Sequence, residues 1–195
     1  MSHATFFPSQ REIALIMIRV FIAVNLDPAI REKIGEVCRN FEMKGVKTVK
    51  PELAHITLKF LGYVDEGRVD EVAGALKAIT VPSFTARFRS IDGFPGQKNP
   101  RVIWIGAEGP FNDLNRQTED AMSGVGFPRE DRFNAHITIG RIKFTTPEQK
   151  QRLPQLFERY KDFNAGSMVV DRIHVMKSTL SPAGPTYEAL REILL

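Results

Sequence analysis

His55-Ile56-Thr57-Leu58 and, 81 residues later, His136-Ile137-Thr138-Ile139 are one tetrad written twice: histidine, apolar, threonine, apolar. Two independent tetrads of this kind are expected by chance with a probability on the order of one in a thousand at average residue usage. The echo extends to the surroundings. A strand over Ile18–Val24 and a helix precede the first tetrad, and a strand over Arg101–Gly106 and a helix precede the second. A duplicated unit is the natural reading. The bland alternative, two hydrogen-bonded core histidines, would be unremarkable for one tetrad but is harder to accept at equivalent places of a repeat. In a strand, alternate side chains share a face. His55 and Thr57 therefore point one way and Ile56 and Leu58 the other, with His136 and Thr138 opposed to Ile137 and Ile139. If the repeats face each other about a pseudo-two-fold axis, four polar groups converge on a cleft.

Outward from the tetrads, Asp27-Pro28 opens a helix to about Met43, with Asp27 as N-cap and proline in the first turn. A strand is expected over Ala54–Phe60. Asp65 caps a second helix that carries Val69, Val72, Leu76 and Ile79. Phe84–Ile91 reads as a strand, and Gly93–Pro100 (GFPGQKNP) as a hairpin loop or a connection between lobes. A helix over Pro110–Met122 and a strand over His136–Lys143 follow. Thr146-Pro147-Glu148-Gln149 reads as a capping box launching a helix to about Tyr160. Final strands are expected near Met168–Lys177 and Thr186–Leu190. Alternating strands and helices also fit a doubly wound parallel sheet. No glycine-rich phosphate loop follows any strand, however, so neither a dinucleotide fold nor a nucleotide triphosphatase has a motif to rest on.

The chain has 195 residues, 43% hydrophobic and 26% charged, with a net charge of +4. That length and mixture suit one well-buried domain or two small lobes sharing a core. The mild basic balance fits a phosphate-bearing ligand without requiring one. Cys38 is the single cysteine, so no intrachain disulfide is possible, and it lies on the apolar stripe Ile30, Ile34, Val37, Cys38, Phe41 as a core residue. The longest apolar stretch, Ile13–Val24, is interrupted by Arg19 and is too short to span a bilayer. No signal-peptide pattern precedes it. A cytoplasmic protein with no membrane association, and a monomer, is expected. Residues 1–16 look unlike the rest and are expected to be an N-terminal extension, disordered or not part of the fold, with 17–195 forming a single domain.

Two opposed histidines suit a specific chemistry. The side chain titrates near neutrality, and in-line phosphodiester cleavage needs a base behind the nucleophile and an acid behind the leaving oxygen. Each threonine hydroxyl can donate to a non-bridging phosphate oxygen. Arg141 lies five residues after His136. That odd separation brings it to the phosphate only if Gly140 marks a bulge; otherwise it faces solvent. The histidines could instead ligate zinc, but neither has a neighbouring histidine at i+2 or i+4, and the nearest acid, Glu52, has the wrong parity. His3 lies in the N-terminal segment. His174, between Ile173 and Val175, is expected to face solvent.

With these residues in view, the chain resembles the two-histidine phosphoesterase superfamily, whose signature is a pair of His-apolar-Thr-apolar tetrads. More narrowly it resembles the RNA 2',3'-cyclic phosphodiesterases, also called 2'-5' RNA ligases. The stretches that carry the likeness are IRVFIAVNL (18–26), KPELAHITLKFLG (50–62), RVIWIG (101–106), FNAHITIGRIK (133–143) and KSTLSPAGPTYE (177–188). The resemblance implies an α+β bilobal duplicated fold, with two antiparallel sheets and outer helices flanking a central cleft. It implies no metal and no other cofactor, and as partner an RNA or nucleotide ending in a 2',3'-cyclic phosphate. His55 would be the acid that protonates the departing 3' oxygen and His136 the base that activates water, leaving a 2'-phosphate. Thr57, Thr138 and Arg141 would hold the phosphate, and Phe60 would approach the terminal base or ribose. With a 5'-hydroxyl in place of water the same chemistry joins ends through a 2'-5' linkage. Asn134 and Ala135 stand where the family more usually has arginine and proline. A non-catalytic RNA-binding module, or a phosphodiesterase for a small cyclic nucleotide, remain the competing readings.

Overall fold

The structure is a computed structural model that describes residues 16–195. Apart from Ile16, the expected N-terminal extension, His3 included, lies outside the described residues. The elements are β1 (Met17–Asn25), α1 (Pro28–Asn40), β2 (Val46–Thr48), β3 (His55–Asp65), α2 (Val69–Leu76), β4 (Phe84–Phe94), β5 (Val102–Glu108), α3 (Phe111–Gly124), β6 (His136–Ile142), α4 (Pro147–Arg159), β7 (Asn164–Val170), β8 (Arg172–Ser181) and β9 (Gly184–Leu194).

Alternation along β1 sets the two faces of the sheet. Ile18, Val20, Ile22 and Val24 enter the main core, while Phe21 and Ala23 join Met176 and Tyr187 in a small cluster on the other face. Every strand pairing is antiparallel, which removes the parallel-sheet alternative. The strand order is β7-β4-β5-β6-β3-β1-β8-β9, with β2 added beside β6. The two sheets implied by the duplication meet through a single register pair, Ile56 opposite Ile137. Both residues are fully buried. The result is one strongly curled sheet made of two half-sheets, and the tetrads flank the joint.

The halves are interleaved. β4 follows the first tetrad in sequence yet pairs with β5 and β7 in the second half-sheet. β8 follows the second tetrad yet pairs with β1 in the first. The helices cross over likewise. α1 packs on β7 and β6, and α3 packs on β3 and on α2, which itself lies against β9. One apolar cluster runs through both halves, from Val20 and Ile22 to Ile103, Ile105, Ile137 and Ile139. Each such side chain contributes roughly 1.5–3 kcal/mol by leaving water.

Local expectations are refined rather than displaced. Of the segment 93–100, Gly93 and Phe94 end β4 and the rest belongs to the loop of the β4–β5 hairpin, not to a link between lobes. The strand expected over Met168–Lys177 is broken at Asp171 into β7 and β8. Asp27 stands at the N-cap of α1 without a side-chain capping bond, the proline setting the turn. Thr146 does cap α4, accepting from the Gln149 backbone N–H, but the Gln149 side chain does not close a capping box. It donates instead to the carbonyls of Lys44 and Phe144. Cys38 is a core residue as expected, and burial pushes its thiol up to about 12. His174 departs from expectation. Its side chain is only 12% exposed and stands 3.5 Å from a Glu192 oxygen. Strand parity placed it correctly opposite Ile173 and Val175, but β8 is an interior strand: Ala23 of β1 and Glu192 of β9 are its register partners, and the Glu192 side chain lies against it. Among the described residues no helix is long and apolar enough to cross a membrane.

Candidate active site

Both tetrads begin at the first residue of their strand, beside the joint between half-sheets. Ile56, Leu58, Ile137 and Ile139 are buried in the core, which commits His55, Thr57, His136 and Thr138 to the opposite, concave face. There they line one cleft of about 520 Å³ together with Phe60 and Arg141. All six residues singled out from the sequence are thus brought together.

The histidines are held by the same device. The Nδ1–H of His55 donates to the Leu53 carbonyl at 2.7 Å, and that of His136 to the Asn134 carbonyl at 2.7 Å. A carbonyl can only accept, so each Nδ1 carries the proton, and Nε2 holds the free lone pair when the ring is neutral. His55 Nε2 accepts from the Thr57 hydroxyl at 3.1 Å. Each ring is also walled by aromatics. Phe21 lies 4.9 Å and Tyr187 5.2 Å from His55, centroid to centroid, and Phe94 5.1 Å from His136. Burial pushes the His55 pKa below its usual value, opposed by the Leu53 hydrogen bond and reinforced by the charges of Arg141, Arg31 and His136. Burial lowers His136 as well, again opposed by its carbonyl bond and reinforced by Arg141. One guanidinium therefore acts on both rings.

Arg141 reaches the cleft because β6 bulges. Ile103 pairs with Gly140 and Trp104 with Thr138, so Ile139 is skipped. Ile139 and Gly140 are both buried, and the next residue emerges on the cleft side. β3 bulges at the equivalent place. Ile22 pairs with Lys59 and Ala23 with Thr57, so Leu58 is skipped and Phe60 emerges beside the histidines, 52% exposed. Phe60 and Arg141 are thus the same position of the repeat, five residues after each histidine.

The bulge in β3 turns Lys59 inward, a residue of the KPELAHITLKFLG stretch to which sequence reasoning assigned no role. It is 2% exposed and its Nζ lies 2.7 Å from Glu119 Oε2 and 2.7 Å from the Pro128 carbonyl. The same carboxylate oxygen accepts the Glu130 N–H at 3.1 Å. This network ties the strand of His55 to α3 and to the segment that leads into His136. Arg31 and Tyr187 were also missed. Both come from elements distant in sequence, and no spacing signals them. Among the described residues no group of three or more His, Cys, Asp or Glu side chains is placed to hold a metal ion.

Comparison with known proteins agrees with this geometry. The family model described as LigT like Phosphoesterase matches twice in tandem, over residues 24–104 and 106–187. An RNA 2',3'-cyclic phosphodiesterase of Methanocaldococcus jannaschii is 36% identical over 175 residues, covering 89% of this chain and 99% of that protein. One of Archaeoglobus fulgidus is 36% identical over 176 residues, covering 89% and 98%. Among solved structures, a Thermus thermophilus protein superposes with a TM-score of 0.77 at 27% identity, covering 91% of this chain and 98% of that one. Escherichia coli LigT complexed with 3'-AMP shares the fold, with a TM-score of 0.73 at 23% identity over 92% and 99%. Each copy of the family model takes in one of the two tetrads, and with near full-length likeness to these relatives it follows that the chain belongs to the LigT-like phosphoesterases.

Proposed function

We propose that the protein is a cyclic phosphodiesterase that opens the 2',3'-cyclic phosphate at an RNA end to a 2'-phosphate. The observation that carries this reading is the pair of Nε2 nitrogens, each with its tautomer fixed by a backbone carbonyl, facing one cleft. His136 takes a proton from water as the water oxygen attacks phosphorus. The bond from phosphorus to the 3' oxygen breaks, and protonated His55 gives its proton to that oxygen. Thr57, Thr138 and Arg141 hold the non-bridging oxygens as charge develops on them. Phe60 offers a face for the terminal base or ribose. A 5'-hydroxyl in the place of water gives the reverse-type joining through a 2'-5' linkage. No step in this scheme calls on a metal ion.

The test uses purified protein, a cyclic-phosphate-ended RNA and a 2',3'-cyclic mononucleotide, with products resolved as 2'- or 3'-phosphate. The wild type is expected to yield 2'-phosphate in the presence of EDTA. His55→Ala and His136→Ala are each expected to lose about 10²–10⁴-fold in kcat. Near wild-type turnover in either variant, or loss of wild-type turnover in EDTA, would overturn the two-histidine mechanism.

A further inference from the structure

The cleft carries more positive charge than one cyclic phosphate needs. Arg19, Lys47, Lys50, Arg141 and Lys143 line it, and no aspartate or glutamate does. None of the five forms an ion pair among the described residues. The reading above uses Arg141 alone, against a cyclic phosphodiester with a single negative charge. Two of the remaining cations are built into one place. Lys47 of β2 is the register partner of Arg141 on β6, so the two share a face. Lys143, just past the end of β6, also lines the cleft, and its backbone N–H is bonded to the Gly45 carbonyl at 2.7 Å. At about 3.3 Å per residue, and with one residue taken up by the bulge, Lys47 lies about 13 Å along β6 from His136.

This platform is held from beneath. Gly45 has φ +85°, and a Cβ there would stand 2.5 Å from Gln149 Nε2. Gln149 is 1% exposed and donates to two carbonyls, that of Lys44 just before β2 at 2.6 Å and that of Phe144 just after β6 at 3.1 Å. Val49 N–H closes onto the Ile139 carbonyl at 2.9 Å. Across the cleft, Lys47 Nζ comes within 4.0 Å of where a Cβ on Gly184 would be, at the turn of the β8–β9 hairpin. The two lysines therefore occupy a gap between the half-sheets, at the end of the cleft away from the Ile56–Ile137 joint.

We propose that this end of the cleft is a second anion subsite, in which Lys47 and Lys143 hold an internucleotide phosphate of the strand whose end is being opened. The proposal rests on the cyclic phosphodiesterase reading. A 2',3'-cyclic phosphate closes the 3' end of a strand, so every further phosphate lies on its 5' side. The subsite then makes an oligoribonucleotide end a better substrate than a cyclic mononucleotide.

The test compares kcat/KM for a cyclic-phosphate-ended trinucleotide and a 2',3'-cyclic mononucleotide, in the wild type and in Lys47→Ala/Lys143→Ala. The ratio of the two constants is expected to fall roughly tenfold in the double variant, through KM on the trinucleotide. The dependence of trinucleotide KM on salt is expected to become shallower by about 0.7 per lost phosphate contact. An unchanged ratio overturns the subsite. Binding of a 5'-labelled trinucleotide ending in a 2'-phosphate, read by fluorescence anisotropy, separates the two layers of the argument. If the wild type turns over neither substrate, the phosphodiesterase reading fails. In that case weaker trinucleotide binding by the double variant still supports the subsite, and an unchanged Kd overturns it.

Discussion

At the scale of single residues, the site is defined by what holds each imidazole. The carbonyl two residues before each histidine fixes its tautomer, and that partner is backbone, not side chain. The side chains of Asn134 and Ala135 are therefore not what orients the His136 ring. The orientation of His136 needs only the Asn134 oxygen. Arg141 supplies the shared electrostatic influence. Burial is the main reason that both pKa values are lowered, and the positive charge of Arg141 adds to it by disfavouring a second positive charge on either ring. The free enzyme is therefore expected to give a bell-shaped pH profile of kcat/KM, with both limbs on the acid side of ordinary histidine. In Arg141→Gln the nearby charge is gone, protonation becomes easier, and both limbs are expected to move to higher pH. Turnover should fall by about 10²-fold with loss of a stabilising donor. A profile that stays in place would show that Arg141 does not act on the histidines.

At the scale of elements, the decisive features are the paired bulges of β3 and β6. The echo of the tetrads was plain in the sequence, but its extension to Phe60 and Arg141 was not, because ideal strand parity puts both on the wrong face. Gly140 suggested a bulge in β6, yet a Cβ there would meet Ile103 and Val46 at an ordinary 3.5 Å. Glycine is thus not what the bulge requires, and Lys59 occupies the matching place in β3. There the turned-in amine is satisfied by Glu119 and the Pro128 carbonyl. Lys59→Met would leave the Glu119 carboxylate buried and unpaired, an expected loss of about 3–5 kcal/mol. Lys59→Met/Glu119→Leu is expected to recover part of it, since the charge is removed but the Glu130 N–H and Pro128 carbonyl lose their partner. Denaturant midpoints of the two variants check this; equal midpoints would mean that the ion pair is not the origin of the cost.

At the scale of the whole molecule, duplication does not mean separability. Each half of the chain lends a strand to the sheet of the other, β4 in one direction and β8 in the other. Fragments 1–98 and 99–195 are each expected to lack a cooperative thermal transition by circular dichroism, because each leaves apolar strand faces and sheet edges uncovered. A cooperative melt in either fragment alone would contradict the interleaving. What the sequence determined by itself was everything governed by local period: the two tetrads, the face that His55, Thr57, His136 and Thr138 share, the apolar face behind them, and the positions of the main helices. Tertiary structure alone decided which strands pair, where the bulges turn Phe60 and Arg141 into the cleft, why His174 is covered, and how Lys47 comes under the Gly184 turn. Those outcomes depend on contacts between residues far apart in the chain, and a periodic pattern fixes the face of a side chain without naming what lies opposite it.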